Sequence, residues 1–206
     1  MFDSGIPAND LIRDLKDEVD AAYEIPDSAY IKWLNALEQL LYSEFIREQN
    51  KIVVTDPPVN KIIISSLPAP AGESPVRFED IHTVYAGGTQ LIKSTLTSGV
   101  IFPDTYYKHG VDIGYNTDGT VSEITVIYFV RPALKSVGSS DSDHTTEQSS
   151  VKIPYEFIEL IKARLRGEAY KLCNEDAAAA KWLNDYNALL ESFKQWLALR
   201  QPSFGM

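Results

Sequence analysis

Residues 151–200 constrain this chain more than any other stretch, because they predict two long helices that fold back on each other. Pro154 stands where the first turn of a helix tolerates a missing N–H. Apolar residues then recur at helical spacing: Ile158, Ile161, Leu165, Ala169 and Leu172. Asn174 favours a left-handed helix end, and the period resumes with Leu183, Tyr186, Leu190, Phe193 and Leu197. A two-helix hairpin alone buries too little apolar surface to offset its ordering entropy, so its packing partner must lie elsewhere in the chain or on another subunit.

The N-terminal residues carry two further helical patterns, over residues 10–22 and 27–47. Pro26 is expected to stop the first helix, and Asp27 to act as the N-cap of the second. The second helix shows a broad apolar face formed by Trp33, Leu34, Leu37, Leu40, Leu41 and Phe45. Helices therefore bracket the chain at both ends.

Between the helices lies a region that is typical of strands. The predicted strands are residues 51–55, 60–65, 81–85, 89–92, 112–115 and 121–130. Gly87-Gly88 suits a tight hairpin turn, and residues 116–119 are expected to form a second one. Residues 121–130 are too continuously apolar for a strand with one wet face, which places this strand centrally. The predicted fold class is α+β: N-terminal helices, a central antiparallel β region and a C-terminal antiparallel helix pair.

The length of 206 residues favours a single domain that buries roughly 70% of the surface of the unfolded chain. Its parts are N-terminal helices (1–48), a β region (49–135), a flexible loop (136–150), the C-terminal helix pair (151–200) and a tail (201–206). The loop reads SVGSSDSDHTTEQSS and lacks an apolar period, so we expect it to be mobile and the first site of limited proteolysis. Asp141, Asp143 and His144 could bind a cation, but a mobile segment lacks preorganised geometry and a solvated loop is favoured.

The formal net charge of −10 argues against a sequence-independent nucleic-acid binder, which needs a concentrated basic surface. Residues 1–48 hold eleven acidic side chains against four basic ones, whereas residues 151–206 hold seven against eight. Solvated helix faces explain this asymmetry most simply, and complementarity between neighbouring copies is the alternative. The only cysteine, Cys173, is expected to be a small core residue. The absence of a membrane-spanning apolar run and of a signal peptide predicts a soluble protein that is intracellular when made.

The sequence shows no recognisable catalytic, cofactor or metal motif. His82, His109 and His144 are scattered singly, and the 116–119 segment fails as a calcium loop because Gly114 and Thr125 fall on ligand positions. We therefore expect no enzyme activity, no cofactor and no metal. Two alternatives remain: a hydrolase whose carboxylates meet only in three dimensions, and a carbohydrate-binding module. The aromatic residues that could stack on a sugar, or equally pack the sheet, are Phe102, Tyr106, Tyr107 and Tyr115.

The order of parts resembles that of the head-to-tail adaptor proteins of tailed bacteriophages. After an acidic first helix, residues 30–41 read YIKWLNALEQLL, and residues 153–197 read IPYEFIELIKARLRGEAYKLCNEDAAAAKWLNDYNALLESFKQWL. In such adaptors a helix with an Asn-containing segment precedes the sheet, and a proline-initiated helix followed by a Tyr-containing helix closes the chain. Here Trp33-Leu34-Asn35 and Asp185-Tyr186-Asn187 stand at the corresponding places. The resemblance covers most of the chain in outline.

The resemblance implies a structural protein of the virion neck, assembled in the host cytoplasm. It would form a homo-oligomeric ring, a dodecamer by analogy, between the portal protein and a tail or stopper protein, with DNA passing through its lumen and no membrane contact. Another phage tail or baseplate component is the alternative within this class. The candidate subunit or portal interface residues are Arg164, Arg166, Tyr170, Lys171 and Phe204. The lumen should be acidic so that it does not hold phosphates, and its candidate residues are Asp104, Asp112 and Asp118.

Overall fold

A computed structural model describes residues 1–19, 24–58, 61–62, 67, 73–95, 102–110, 112–117, 120–136 and 150–200. The chain forms two compact units. The helical unit comprises Met1–Ile46 together with Leu134–Met206, and the β unit comprises Arg47–Ala133. The α+β fold class is confirmed, and the β unit nearly coincides with the predicted β region. That both units belong to a single domain stays a prediction.

The helical unit is built around α3. Its helices are α1 (Ala8–Glu18), α2 (Asp27–Leu41), α3 (Ile158–Leu172) and α4 (Asp176–Arg200). Helix α3 packs along α4 and also contacts α1 and α2, so the N-terminal helices are the partner that the C-terminal hairpin requires. The axes of α3 and α4 approach closely at Gly167, where an added Cβ would lie 2.8–2.9 Å from the Leu183 side chain. The predicted stripes are buried at Ile161, Leu165 and Phe193, whereas Leu172 is 57% exposed.

The turn between α3 and α4 follows the sequence prediction closely. Asn174 adopts a left-handed conformation with φ of 62°. The Asn174 N–H donates to the Lys171 carbonyl (3.2 Å), and the Glu175 N–H donates to the Tyr170 carbonyl (2.9 Å). This is a Schellman motif, in which the carbonyl groups left open at a helix end find donors.

The N-terminal predictions need two corrections. Helix α1 ends at Glu18, because Val19 is already extended, so Pro26 is not what stops it; residues 20–23 lie outside the described residues. Asp27 is the first residue of α2 rather than its N-cap, and its carboxylate instead accepts a 2.7 Å hydrogen bond from the Lys16 ammonium.

The second predicted helix changes its winding before it ends. The α-helix stops at Leu41, and a π-helical turn covers Tyr42–Ile46. Arg47, with φ of 47°, ends the helical backbone. Leu40, predicted on the apolar face, is 45% exposed, because the buried face is rotated toward Tyr30, Ile31 and Tyr42.

Within the described residues, the β unit forms a seven-stranded sheet in the order β1-β7-β3-β4-β5-β6-β2. Its strands are β1 (Gln49–Thr55), β2 (Lys61–Ile62), β3 (Ile81–Ala86), β4 (Thr89–Lys93), β5 (Thr105–His109), β6 (Asp112–Asn116) and β7 (Glu123–Phe129). All neighbouring pairs are antiparallel except β4 and β5. The sheet is therefore mixed rather than antiparallel throughout. Strand periodicity does not reveal direction, because direction depends on how the connection between two strands runs.

Two predictions about connections can be compared with the strand pairing. Gly87 and Gly88 have φ of 54° and 88° and join the paired residues Ala86 and Thr89, which confirms the first tight hairpin. Residues 116–119 do not join a hairpin, because β6 pairs with β5 and β2 while β7 pairs with β1 and β3. The turn residues that the sequence pattern matched instead connect strands that are not neighbours.

Strand β7 is interior, as predicted, but only one of its faces is fully buried. Ile124, Val126 and Tyr128 are buried, while Thr125, Ile127 and Phe129 are half-buried. The apolar run thus indicates a strand that is paired on both sides, but it does not indicate that both faces of the strand are buried.

Strand β5, which the sequence analysis did not predict, forms a hairpin with β6. Gly110, with φ of 64°, lies in the turn that joins His109 to Asp112. Tyr107 is paired with Gly114, and its ring covers the glycine so closely that no Cβ would fit there. A glycine in a strand thus accommodates the aromatic ring of the neighbouring strand.

Candidate functional site

The candidate interface residues lie on or beyond α3, and Arg166 among them is already engaged within the helical unit. It is buried, with 8% exposure. Its guanidinium binds the carboxylate of Glu18 on α1 and lies 3.5 Å from that of Glu159. It also lies 4.5 Å from the centre of the Trp182 ring on α4, a cation–π distance. Arg166 therefore joins three helices, and any contact with a partner would be additional to this role.

The remaining α3 candidates are more accessible. Arg164 forms an ion pair with Glu168 one turn along and lies 5.4 Å from the centre of the Tyr186 ring. Tyr170 is half-buried, and Lys171 is exposed in the last turn of the helix. Phe204 lies outside the described residues. The accessible members of the predicted interface are thus Arg164, Tyr170 and Lys171, and their role stays a prediction.

The candidate lumen residues are not equivalent. Asp112 is buried, and its carboxylate lies 2.8 Å from the Lys61 ammonium, so its charge is balanced within the β unit. Asp104 is half-buried just before β5 and has a φ of 54°. Asp118 lies outside the described residues. Of the described candidates, Asp104 is the more exposed.

A buried ionic centre at Glu38 is a main feature that the sequence analysis missed. Glu38 on α2 and Lys135 form an ion pair with side-chain exposures of 1% and 2%. The other carboxylate oxygen of Glu38 accepts a 2.6 Å hydrogen bond from the Lys152 N–H. Asn35, one turn earlier, bonds both the N–H (2.8 Å) and the carbonyl (2.9 Å) of Lys135. One helix face thus holds the chain at residues 135 and 152.

The sequence did contain one signal for this centre. Glu38 follows Leu34 by four residues and precedes Leu41 by three, so it lies on the apolar face of α2. A charged residue on such a face needs a buried partner. The sequence does not show which basic residue is the partner; the fold shows that it is Lys135.

The N-terminal segment is attached beside this centre. The Lys152 ammonium lies 2.8 Å from the Asp3 carboxylate and 2.9 Å from the Ser150 hydroxyl. Backbone hydrogen bonds link Ser4 to Val151 and Val151 to Ile6. The hydrogen bonds from Lys152 and Ser150 lower the pKa of the Asp3 carboxyl to about 2.

The aromatic residues proposed for sugar stacking are mostly inside the β unit. Tyr106 and Tyr115 pair across β5 and β6 and are 2% and 4% exposed. The Tyr115 hydroxyl donates to the Pro58 carbonyl at 2.7 Å. Tyr107 is half-buried over Gly114, and Phe102 is 56% exposed. The three tyrosines therefore pack the sheet, and only Phe102 is exposed, so these residues do not present a row of open ring faces.

Cys173, expected in the core, is instead half-buried at the end of α3, and partial burial raises the pKa of its thiol. Within the described ranges, no three His, Cys, Asp or Glu side chains converge as a metal site requires. In the same part of the chain, no helix is both long and apolar enough to cross a bilayer.

Comparison with known proteins adds no relative: no family model matches the chain, and no curated protein sequence is significantly similar to it.

Proposed function

We propose that this chain is a head-to-tail adaptor of a tailed bacteriophage, a structural subunit that assembles as a ring beneath the portal and connects the capsid to the tail. The observation that carries the proposal is the arrangement of the chain. Helices from both ends form one unit, and the β unit is inserted between them. This is the order of parts in the adaptors that the sequence resembles.

The residues that carry the resemblance have structural roles consistent with the proposal. Asn35, in the Trp33-Leu34-Asn35 segment, fixes the chain where it re-enters the helical unit after the β unit. Tyr186, in the Asp185-Tyr186-Asn187 segment, is buried on α4. Both segments thus belong to the helical unit, whose sequence the β unit interrupts.

The exposed end of α3 is where we place contact with the portal or a neighbouring subunit. Lys171 is exposed there, and Arg164 and Tyr170 are partly accessible on the same helix. A basic and aromatic surface of this kind suits an acidic partner surface, because charge complementarity orients subunits that associate.

The test is negative-stain electron microscopy of the purified protein, alone and mixed with the portal protein from its own genome neighbourhood. We expect closed rings, or rings seated on the portal. Lys171→Glu should weaken the assembly, whereas the control Lys32→Glu, at an exposed position on α2, should leave it intact. A protein that remains monomeric and never binds the portal would refute the adaptor proposal.

The alternative functions predict different results in experiments on the same purified protein. A tail or baseplate component would assemble without binding the portal. A carbohydrate-binding module would be retained on a glycan affinity gel, but the burial of Tyr106 and Tyr115 leaves it little support. A carboxylate hydrolase would lose a measurable turnover when individual exposed acids are substituted.

A further inference from the structure

Strand β1 forms an outer edge of the sheet, and an exposed sheet edge can pair with a strand of another chain. Strand β1 is the terminal strand of the sheet, and β7 is its only neighbour among the described strands. It is seven residues long and contains the β-branched run Ile52 to Thr55, with Val53 45% exposed. An edge strand with these properties is a template for pairing with a second copy of the same chain.

The direction of each backbone group along β1 follows from the hydrogen bonds at its two ends. The Val130 N–H donates to the Glu48 carbonyl at 2.8 Å, and the Asp56 N–H donates to the Ser122 carbonyl at 2.9 Å. Since antiparallel pairs alternate, the even-numbered residues of β1 bond to β7. The N–H and carbonyl groups of residues 49, 51, 53 and 55 therefore point out of the sheet.

The outward N–H of Lys51 is already occupied by a side chain. Asn50 Oδ1 accepts a hydrogen bond from the Lys51 N–H at 2.8 Å. Lys51 is the second of the four outward positions, so an approaching strand would lose a donor near the middle of the edge. The exposed Lys51 side chain adds a charge there.

The Asn50 amide is held in this orientation from its other side. Its Nδ2 donates to Glu73 Oε1 at 2.9 Å, and Glu73 Oε2 accepts a 2.9 Å hydrogen bond from the Tyr128 hydroxyl. A flipped amide would point its oxygen at a carboxylate and its NH₂ at an N–H, which excludes that alternative. Burial raises the pKa of Tyr128, so its hydroxyl remains a donor.

We propose that the Tyr128–Glu73–Asn50 chain of hydrogen bonds closes the β1 edge to sheet extension by a second copy of this protein. The proposal does not depend on the adaptor function. Its consequence is that copies of this chain associate through surfaces other than this edge.

The first test uses the unmodified chain and measures amide exchange by NMR. The Lys51 amide should exchange at least about tenfold more slowly than the Val53 amide, which points out of the same edge, because an intact hydrogen bond protects it. Equal exchange of the two amides would overturn the proposal, since Asn50 would then not hold the Lys51 N–H in solution.

The second test reports pairing directly, in a Cys173→Ser background where Val53→Cys supplies the single thiol. With Asn50 intact, a short bis-maleimide should link few chains. Asn50→Val should raise the linking rate about tenfold or more, because it frees the Lys51 N–H and adds a β-branched residue. Asn50→Ala is the second variant, and a melting curve confirms that each is folded.

Gln90→Val is the control, because it places the same side chain at an exposed position of β4, a strand that lies between β3 and β5 rather than at an outer edge. It should leave the linking rate unchanged. If chains with Asn50 intact link as fast as the folded Asn50 variants, or if the Gln90→Val control links equally fast, the proposal is wrong.

Discussion

Individual charged residues connect the two ends of the chain. Three ion pairs join an acid of Met1–Ile46 to a base of Leu134–Met206, the two segments of the helical unit: Asp3 with Lys152, Glu18 with Arg166, and Glu38 with Lys135. The charge asymmetry between the chain ends, which the sequence left open for use between neighbouring copies, is thus partly used inside one helical unit. Only the charge on the remaining exposed side chains would be available to a neighbouring subunit of the proposed ring.

Glu38 should be the most sensitive of these charges. We expect Glu38→Gln to lower the free energy of unfolding by about 3–5 kcal/mol, because Lys135 would remain buried without a counter-ion. Urea denaturation measures the loss. Glu44→Gln, at an exposed position on the π-helical turn, is the control and should stay within about 0.5 kcal/mol.

A double variant separates the ion pair from the rest of the site. Replacing both Glu38 and Lys135 by Met should recover part of the loss. The Met side chain removes the acceptor of the Lys152 N–H, which costs about 1–3 kcal/mol. A loss below about 1 kcal/mol for Glu38→Gln would contradict the buried pair.

Asp3 predicts a dependence of stability on acid pH. Its pKa is lowered from 3.8 to about 2 in the folded chain, so the folded state favours the charged carboxylate. The resulting stability is present above pH 3.8 and is lost as the pH falls through about 2. Asp3→Asn should remove this contribution, so that the difference in melting temperature from the unmodified chain shrinks across that window. If the difference in melting temperature does not change with pH, the pKa of the Asp3 carboxyl is not lowered in the folded chain in solution.

At the scale of elements, α3 is the centre of the helical unit. Leu165 on α3 and Phe193 on α4 are both fully buried, at 0% exposure. Leu165→Ala and Phe193→Ala should each cost about 2–5 kcal/mol, because each leaves a cavity. Thermal or urea unfolding measures this cost.

The matched control lies on the same helix. Leu172→Ala removes the same atoms from a position that is 57% exposed, and it should cost far less. Unchanged melting temperatures for both core variants would show that the helical phase is wrong.

The turn between α3 and α4 gives a test of backbone conformation. Asn174→Ala should destabilise the helical unit by about 1–2 kcal/mol, because a Cβ is unfavourable at a φ of 62° when no Asn side chain can compensate. Asn174→Gly should be neutral or slightly stabilising, since glycine adopts this conformation readily. If chemical denaturation shows that Asn174→Ala is more stable than Asn174→Gly, the left-handed conformation at this helix end is contradicted.

At the scale of the whole molecule, the proposed ring should have an acidic lumen that does not retain DNA. Wild-type rings should not shift double-stranded DNA in a mobility assay at low salt, whereas Asp104→Lys with Asp118→Lys should create salt-sensitive retention. Asp185→Lys, on the exposed side of α4, is the control. Retention by wild-type rings, or a lumen lined by Arg164, Arg166 and Lys171 in a structure of the assembled ring, would contradict DNA passage.

The sequence by itself determined the helices in outline, several of the strands, and the order in which these elements follow one another along the chain. Helical spacing of apolar residues located α2, α3 and α4, and Asn174 and Gly87-Gly88 marked two connections, because these signals depend on local backbone preferences. The same reasoning named Arg164 and Arg166 alike as interface candidates, because both are basic residues of one helix. Only the fold shows that Arg166 is buried, whereas Arg164 is partly accessible.

The tertiary structure alone decided which distant residues meet. It placed Glu38 against Lys135, separated by 97 residues in sequence, and paired β4 with β5 in parallel. It also left β6 and β7 unpaired with each other despite a turn-like segment between them. The physical reason is that local patterns fix backbone conformation and which faces are apolar, whereas charge partners and strand neighbours depend on how the whole chain packs.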